Sequence, residues 1–411
     1  MMLKLVNKNV IERFIDVRDR TIKIIESLEP EDMVLQTESF VSPTKWHLAH
    51  TTWFFERFIL KKNINSYKEF DKSFDFLFNS YYNQLGEFHN KNRRGNISRP
   101  TLKNIINYRK YVDEQVVNFF VRNEVKKKFE FDLELGINHE QQHQELILMD
   151  ILNIFFHNPI KPKFQSKMTR SKTNLSHEKV LKIPDTDFVY GANNKIFSFD
   201  NEKPNGLMKI EKFEVQTNLV TNGEWKDFIK SGGYVKPEFW LSDGWDFINK
   251  NKIDKPLYWI NEEQIFTLNG ISEINDNEPV SHISFYEADA FARFCDKRLP
   301  SEFELELILS KNPINGNFLE SGFLHPLGNL GNEISYYGDL WVWTNSNYLP
   351  YKNYKSFKGL FSEYNGKFMC NQFVLKGGSC ITPKEHIRAS YRNFYYPSDR
   401  WQFSGIRLVN N

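Results

Sequence analysis

Through the first 160 positions apolar residues recur at three- and four-residue intervals, over 10–28, 44–61, 101–128 and 131–156. That spacing lines one face of an α-helix. Four such segments joined by polar loops predict a helical bundle whose apolar stripes bury one another. Two of the starts carry capping chemistry: Ser42-Pro43-Thr44 and Ser98-Arg99-Pro100-Thr101 each put a hydroxyl ahead of a proline in the first turn, where a missing N–H costs nothing. From His157 to Lys179, Pro, Lys, Ser, Asn and Thr replace the periodic apolar positions. The pattern therefore predicts a 1–160 helical domain, a 161–179 linker and a 180–411 second domain. Past residue 180 the chain alternates short β-prone runs, Gly and Asn turns and isolated helical stretches at 284–295 and 301–309. Elements this short do not build an alternating strand and helix sheet, so a mixed, loop-rich domain is expected.

Charge and cysteine content exclude several function classes. The 411 residues hold 54 basic and 52 acidic side chains, a net charge of +2, which gives no electrostatic footprint for nucleic acid. The local runs Lys91-Asn92-Arg93-Arg94 and Lys161-Pro162-Lys163 read as solvated faces. No apolar run reaches membrane-spanning length, and the charged stretch from Met1 to Arg20 has no signal-peptide core. Cys295, Cys370 and Cys380 are irregularly spaced, so neither a disulfide framework nor a cysteine zinc site is expected. The expectation is a cytoplasmic protein with no membrane or nucleic-acid partner.

Candidate chemistry concentrates in the fourth helical segment, at Asn138-His139-Glu140-Gln141-Gln142-His143-Gln144-Glu145. Imidazoles at i and i+4 share a helix face and can reach one metal ion. The string is also His-Glu-x-x-His, in which a zinc protease uses the glutamate, here Glu140, as general base. Two histidines hold a metal weakly, so a third ligand from another helix is expected. His47 and His50, in Trp46-His47-Leu48-Ala49-His50, both qualify, and their spacing does not choose between them.

Further stretches complete a pattern. They are Phe76-Leu77-Phe78-Asn79-Ser80-Tyr81-Tyr82 and Ser98-Arg99-Pro100-Thr101 in the first half. In the second half they are Phe199-Asp200-Asn201-Glu202, Lys297-Arg298-Leu299-Pro300-Ser301-Glu302, Gly377-Gly378-Ser379, Tyr391-Arg392-Asn393-Phe394 and Trp401-Gln402-Phe403-Ser404-Gly405. In this order, over nearly the whole chain, they resemble the ergothioneine-pathway sulfoxide synthases, the EgtB-type hercynine oxygenases. The resemblance implies an α+β multidomain fold. A DinB-like four-helix bundle carries the iron site, and a mixed α/β, C-type-lectin-like domain, related to formylglycine-generating enzyme, forms the pocket wall.

What the resemblance implies for the site is specific. Iron(II) is held by His50, His139 and His143, which leaves His47 behind them. Three neutral imidazoles leave three positions on an octahedral ion for a thiolate, an imidazole substrate and dioxygen, which a closed four-ligand zinc site does not offer. Glu140 loses its protease role, and Gln142 matches a glutamine that hydrogen-bonds the substrate imidazole. Tyr81 and Tyr82 match the proton or electron donor that steers away from thiol dioxygenation, with Tyr364 and Tyr391 as weaker counterparts. Asn393 and Phe394 match contacts to the betaine end of hercynine. Tyr395 stands where relatives that take γ-glutamylcysteine carry an aspartate, which favours cysteine as the thiol, its carboxylate met by Arg94, Arg99 or Arg400. Cys380, beside Gly377-Gly378-Ser379, has no cysteine partner at suitable spacing, so formylglycine-type oxidase activity is not expected. The alternatives are a histidine-cysteine sulfoxide (ovothiol-type) or selenoneine synthase, a zinc metalloprotease, and a non-catalytic module with a structural metal.

Overall fold

The computed structural model describes residues 9–122, 127–165, 180–193, 196–328 and 334–410. The chain packs as two compact units, Met1–His157 with Lys358–Glu363, and Asn158–Phe357 with Tyr364–Asn411.

In the first unit the long helices are α1 (Val10–Ile25), α2 (Thr44–Phe55), α5 (Leu102–Arg122) and α6 (Lys127–His157), with short α3 (Lys61–Asn63) and α4 (Phe74–Phe78) between the second and third. Asn9 caps α1 through a capping box with Glu12, satisfying two orphan N–H groups. The expected cap of α2 is different in the structure. Pro43 holds the N-cap position without a side-chain bond, while Ser42 sends its N–H to Asp150 at 2.8 Å and takes a bond from Arg94 at 2.9 Å. For α5 the capping hydroxyl is that of Thr101, which accepts from Asn104 N at 3.2 Å, rather than that of Ser98.

Helix α2 is the centre of the unit: all its residues are buried, as expected of a helix enclosed on every side. It packs on both α5 and α6, and α1 packs on α6. Gly136 is the reason α2 and α6 approach so closely, because a Cβ there would sit 2.4 Å from the Phe55 ring. After Phe55 the helix loosens into a π-helical turn, Glu56–Leu60. The segment Lys358–Glu363 joins this unit through Phe361, stacked on Phe58 at 4.9 Å. Glu363 of the same segment accepts from the Asn83 and Gln84 N–H groups at 3.1 and 3.0 Å.

The second unit carries two four-stranded sheets. One runs Val180–Ile183, Phe213–Gln216, Val409–Asn410 and Lys297–Arg298; the other runs Asn393–Tyr395, Phe373–Lys376, Trp341–Asn347 and Ser404–Gly405. The helix expected over 284–295 is Phe285–Phe294, capped by a Ser284–Glu287 box, and that over 301–309 is Glu302–Ser310, capped by Ser301–Glu304. Within the span expected as linker, Phe164 N already pairs with Leu268 O at 2.9 Å, and 166–179 lie outside the described residues. Among the described residues no helix is long and apolar enough to cross a membrane.

Candidate metal centre

His50 of α2 and His139 and His143 of α6 are buried together, with one ring nitrogen from each within 4.8 Å of the others. Hydrogen bonds fix which nitrogen is offered. The His50 Nδ1–H donates to the Phe78 carbonyl at 2.6 Å, which leaves the Nε2 lone pair 3.2 Å from Nε2 of His139. Two imidazole nitrogens bound at right angles about 2.1 Å from one ion stand roughly 3.0 Å apart. The observed spacing therefore suits a shared cation. The rings are held by stacking: His50 lies on Trp46 at 4.6 Å and on Trp53 at 5.6 Å, and His139 on Phe54 at 4.2 Å.

Burial keeps this donor set neutral. It pushes the His139 imidazole down to about 3, with the Glu140 carboxylate opposing. The same cause, followed by the neighbouring His139, holds His50 and His143 well below the ordinary histidine range. Neutral imidazoles are the form that ligates a metal, so the three residues fit Fe(II) and other divalent ions that take nitrogen donors.

His47 stands behind His143 and outside the trio. Its Nδ1 is 2.8 Å from Nδ1 of His143 and its Nε2 is 3.0 Å from Asp150 Oδ2.

Glu140 faces another way. It is fully buried, accepts from Arg18 at 2.7 Å and Thr21 at 2.6 Å, and is paired with Arg109. Burial alone would raise its carboxyl, but Arg109 and Arg18 outweigh that and hold it at about 2. A carboxylate so stabilised is a poor proton acceptor near neutral pH. It ties α6 to α1 and α5.

The segment after α4 serves the site twice. Phe78 supplies the carbonyl for His50, and the Asn79 side chain closes a turn by accepting from Tyr82 N at 2.9 Å and donating to Tyr82 O at 3.0 Å. That turn sets buried Tyr82 against Phe58 at 4.9 Å and Trp53 at 6.0 Å, with half-buried Tyr81 stacked on it at 4.7 Å. Gln142 is half-buried next to His143 on α6.

The three arginine candidates separate by environment. Arg94 is 4% exposed, lies 3.3 Å over the Trp46 ring, and donates to Ser42 and Ser80 hydroxyls at 2.9 and 3.2 Å. It has no ion-pair partner among the described residues and its Nε makes no hydrogen bond. Burial lowers it to about 9, against a partial opposing effect of Asp150. Arg99 is exposed. Arg400, in the second unit, is ion-paired to Glu287 at 2.9 Å. In that unit Phe394 stacks on Tyr348 at 4.1 Å, and the Asn393 side chain accepts from Phe394 N at 3.0 Å. Tyr364 stacks on Phe199 at 5.4 Å, and the Tyr391 hydroxyl is 2.9 Å from His386 Nε2.

Sequence reasoning missed Asp150, Ser42, the Trp46 and Trp53 stacking faces and the Phe78 carbonyl. One signal was available: Asp150 lies seven residues beyond His143, which returns it to the same helix face.

Residues 165–312 and 333–411 match the sulfatase-modifying factor enzyme 1-like domain. Over half of the chain thus places the protein in the class built on that domain. The chain is also 30% identical over 310 residues to a hercynine oxygenase of Mycolicibacterium smegmatis, covering 68% of this chain and 71% of that protein. It is 25% identical over 431 residues to the hercynine oxygenase of Mycolicibacterium thermoresistibile, covering 97% and 93%. With ergothioneine biosynthesis protein 1 of Schizosaccharomyces pombe it shares 28% identity over 265 residues, covering 60% and 31%. The chain belongs to the hercynine oxygenase family, the EgtB-type sulfoxide synthases.

Proposed function

We propose that the protein is an Fe(II)-dependent sulfoxide synthase of ergothioneine biosynthesis. It joins imidazole carbon 2 of hercynine to the sulfur of cysteine. The reaction balances as hercynine plus cysteine plus dioxygen giving the sulfoxide plus water: one C–H and one S–H bond are lost, and a C–S and an S–O bond form. The observation that carries this reading is the convergence of three neutral, buried imidazoles beside a buried guanidinium with no ion-pair partner among the described residues. Bound at His50, His139 and His143, iron would supply the positions where thiolate and dioxygen meet, the four electrons for dioxygen reduction coming from the two substrates.

The chain's own residues do the rest. Arg94 neutralises the carboxylate of the thiol substrate, an anion that repays the cost of burying the cation. Gln142 hydrogen-bonds the hercynine imidazole and orients its carbon 2. Tyr82, with Tyr81 stacked on it, holds a proton for delivery and turns the reaction from thiol dioxygenation. Asn393 and Phe394 are assigned to the betaine end, where an aromatic face suits a quaternary ammonium. Glu140 supports this reading over a zinc protease, because its carboxylate is engaged by two arginines. The direct test is oxygen uptake by the anaerobically iron-loaded protein. Uptake that requires both hercynine and cysteine is expected; stoichiometric zinc with peptide hydrolysis and no uptake overturns the proposal.

A further inference from the structure

Resting on that reading of the metal site, we infer that His47 and Asp150 are positioning residues that fix the tautomer and ring orientation of His143 and thereby set metal affinity. The atoms form one directed chain. Ser42 N and His47 Nε2 both address a single oxygen of Asp150, Oδ2, at 2.8 and 3.0 Å. A carboxylate only accepts, so His47 carries its proton on Nε2 and presents a lone pair at Nδ1. That lone pair faces Nδ1 of His143 at 2.8 Å, so His143 must carry its proton on Nδ1. Its Nε2 is then left as a lone pair for the cluster. The reverse polarity would put an N–H where a metal needs a donor.

The placement of the chain adds to its effect. His47 sits three residues before His50 on α2, and Asp150 seven residues beyond His143 on α6. The chain therefore bridges the two helices that supply the ligands, and it clamps His143 from behind as the Phe78 carbonyl clamps His50. All of its members are buried, so water does not compete for these bonds. Loss of such an outer hydrogen-bond partner typically lowers metal affinity about 10- to 100-fold.

The experiment uses the full-length protein, Fe(II) alone under anaerobic conditions with a competing chelator, and ring-nitrogen NMR of His143 in the metal-free protein. His47→Leu and Asp150→Leu should each raise the Fe(II) dissociation constant by about 10- to 100-fold while binding still saturates at one equivalent. His143 should change from a single Nδ1–H tautomer to a mixture in His47→Leu. Two conservative variants should restore affinity to within a few-fold of wild type. His47→Gln can accept from His143 and donate to Asp150, and Asp150→Asn keeps an oxygen where both donors point.

A purely structural pair of buried polar residues would lower the melting temperature of the leucine variants without moving metal affinity or the His143 tautomer, and that result overturns the inference. Failure of the wild-type protein to bind Fe(II), or binding unaffected by His50→Ala, would instead strike the metal-site reading. The NMR measurement still decides the His47–Asp150 assignment in that case.

Discussion

Replacing Glu140 by glutamine separates a structural carboxylate from a catalytic one. In the structure Glu140 accepts side-chain bonds from Arg18 at 2.7 Å and Thr21 at 2.6 Å, and is paired with Arg109, with none of its surface exposed. Glutamine keeps the shape but offers one oxygen and an NH2 group, so at least one arginine loses its acceptor and meets another donor. Among the described residues, the carboxylate then left paired with these two cations is Asp113, bonded to Arg18 at 2.7 Å. Removing one member of a buried charge network costs about 3–5 kcal/mol. With a urea slope of about 2 kcal/mol per molar, the unfolding midpoint of the helical unit should fall by about 2 M. At low denaturant and reduced temperature the folded variant should bind one Fe(II) and turn over within a few-fold of wild type. Urea titration followed by helix circular dichroism, with oxygen uptake per folded molecule, measures both sides. An unshifted midpoint together with a roughly 100- to 10,000-fold loss of turnover, the signature of a missing general base, would refute the assignment.

Other residues make separate demands. Arg94→Gln should raise KM for cysteine by about 10- to 100-fold, as expected for one lost charge-assisted bond, with KM for hercynine unchanged. Because burial outweighs the partial effect of Asp150 on Arg94, which has no ion-pair partner among the described residues, the same variant should melt at or above the wild-type temperature; a stability loss with unchanged KM would remove it from the site. Tyr82→Phe or Tyr81→Phe should divert product toward cysteine sulfinate, read by mass spectrometry, and unchanged partitioning in both would exclude the pair. Asp339 tests the second unit by pH. Burial raises its carboxyl to about 6, only partly offset by bonds from Leu327 N and Asn317. A raised folded pKa favours folding at low pH and costs stability as pH climbs from the unfolded value near 4 to about 6. At φ +55° asparagine is also at home in this backbone, so Asp339→Asn should stabilise at pH 7.5 by about 1–3 kcal/mol and much less at pH 4. An equal effect at both pH values would contradict the cause given.

The sequence made the long helices legible because their apolar positions repeat with the helical period and most of their length needs no distant information. It failed where packing is all-round or non-local. Every residue of α2 is buried and both His47 and His50 contact α6, so no amphipathic stripe shows which of them joins His139 and His143 in the cluster. That choice is set by how α2 packs on α6, which lies far along the chain. Ser42 looked like a cap and instead bonds Asp150 and Arg94, partners 108 and 52 residues away. Six residues from the second half, Lys358–Glu363, pack with the first unit through Phe361 and Glu363, and no local pattern marks them. The separation of Arg94 from Arg99 and Arg400 was likewise invisible, since burial and ion pairing are tertiary properties. By contrast, the His139 and His143 pair was readable directly, because i and i+4 on one helix need nothing beyond the helix itself.

The central claim is oxidative carbon–sulfur bond formation at a three-histidine iron site, and one incubation addresses it most directly. Fe(II)-loaded protein is mixed with hercynine and dioxygen and given either cysteine or γ-glutamylcysteine, and the products are identified by mass, with His50→Ala in parallel. The account predicts the hercynine–cysteine sulfoxide as the main product, formed faster than the γ-glutamyl adduct, and no adduct from His50→Ala. Sulfinate alone, or an adduct that forms equally well without His50, would contradict it.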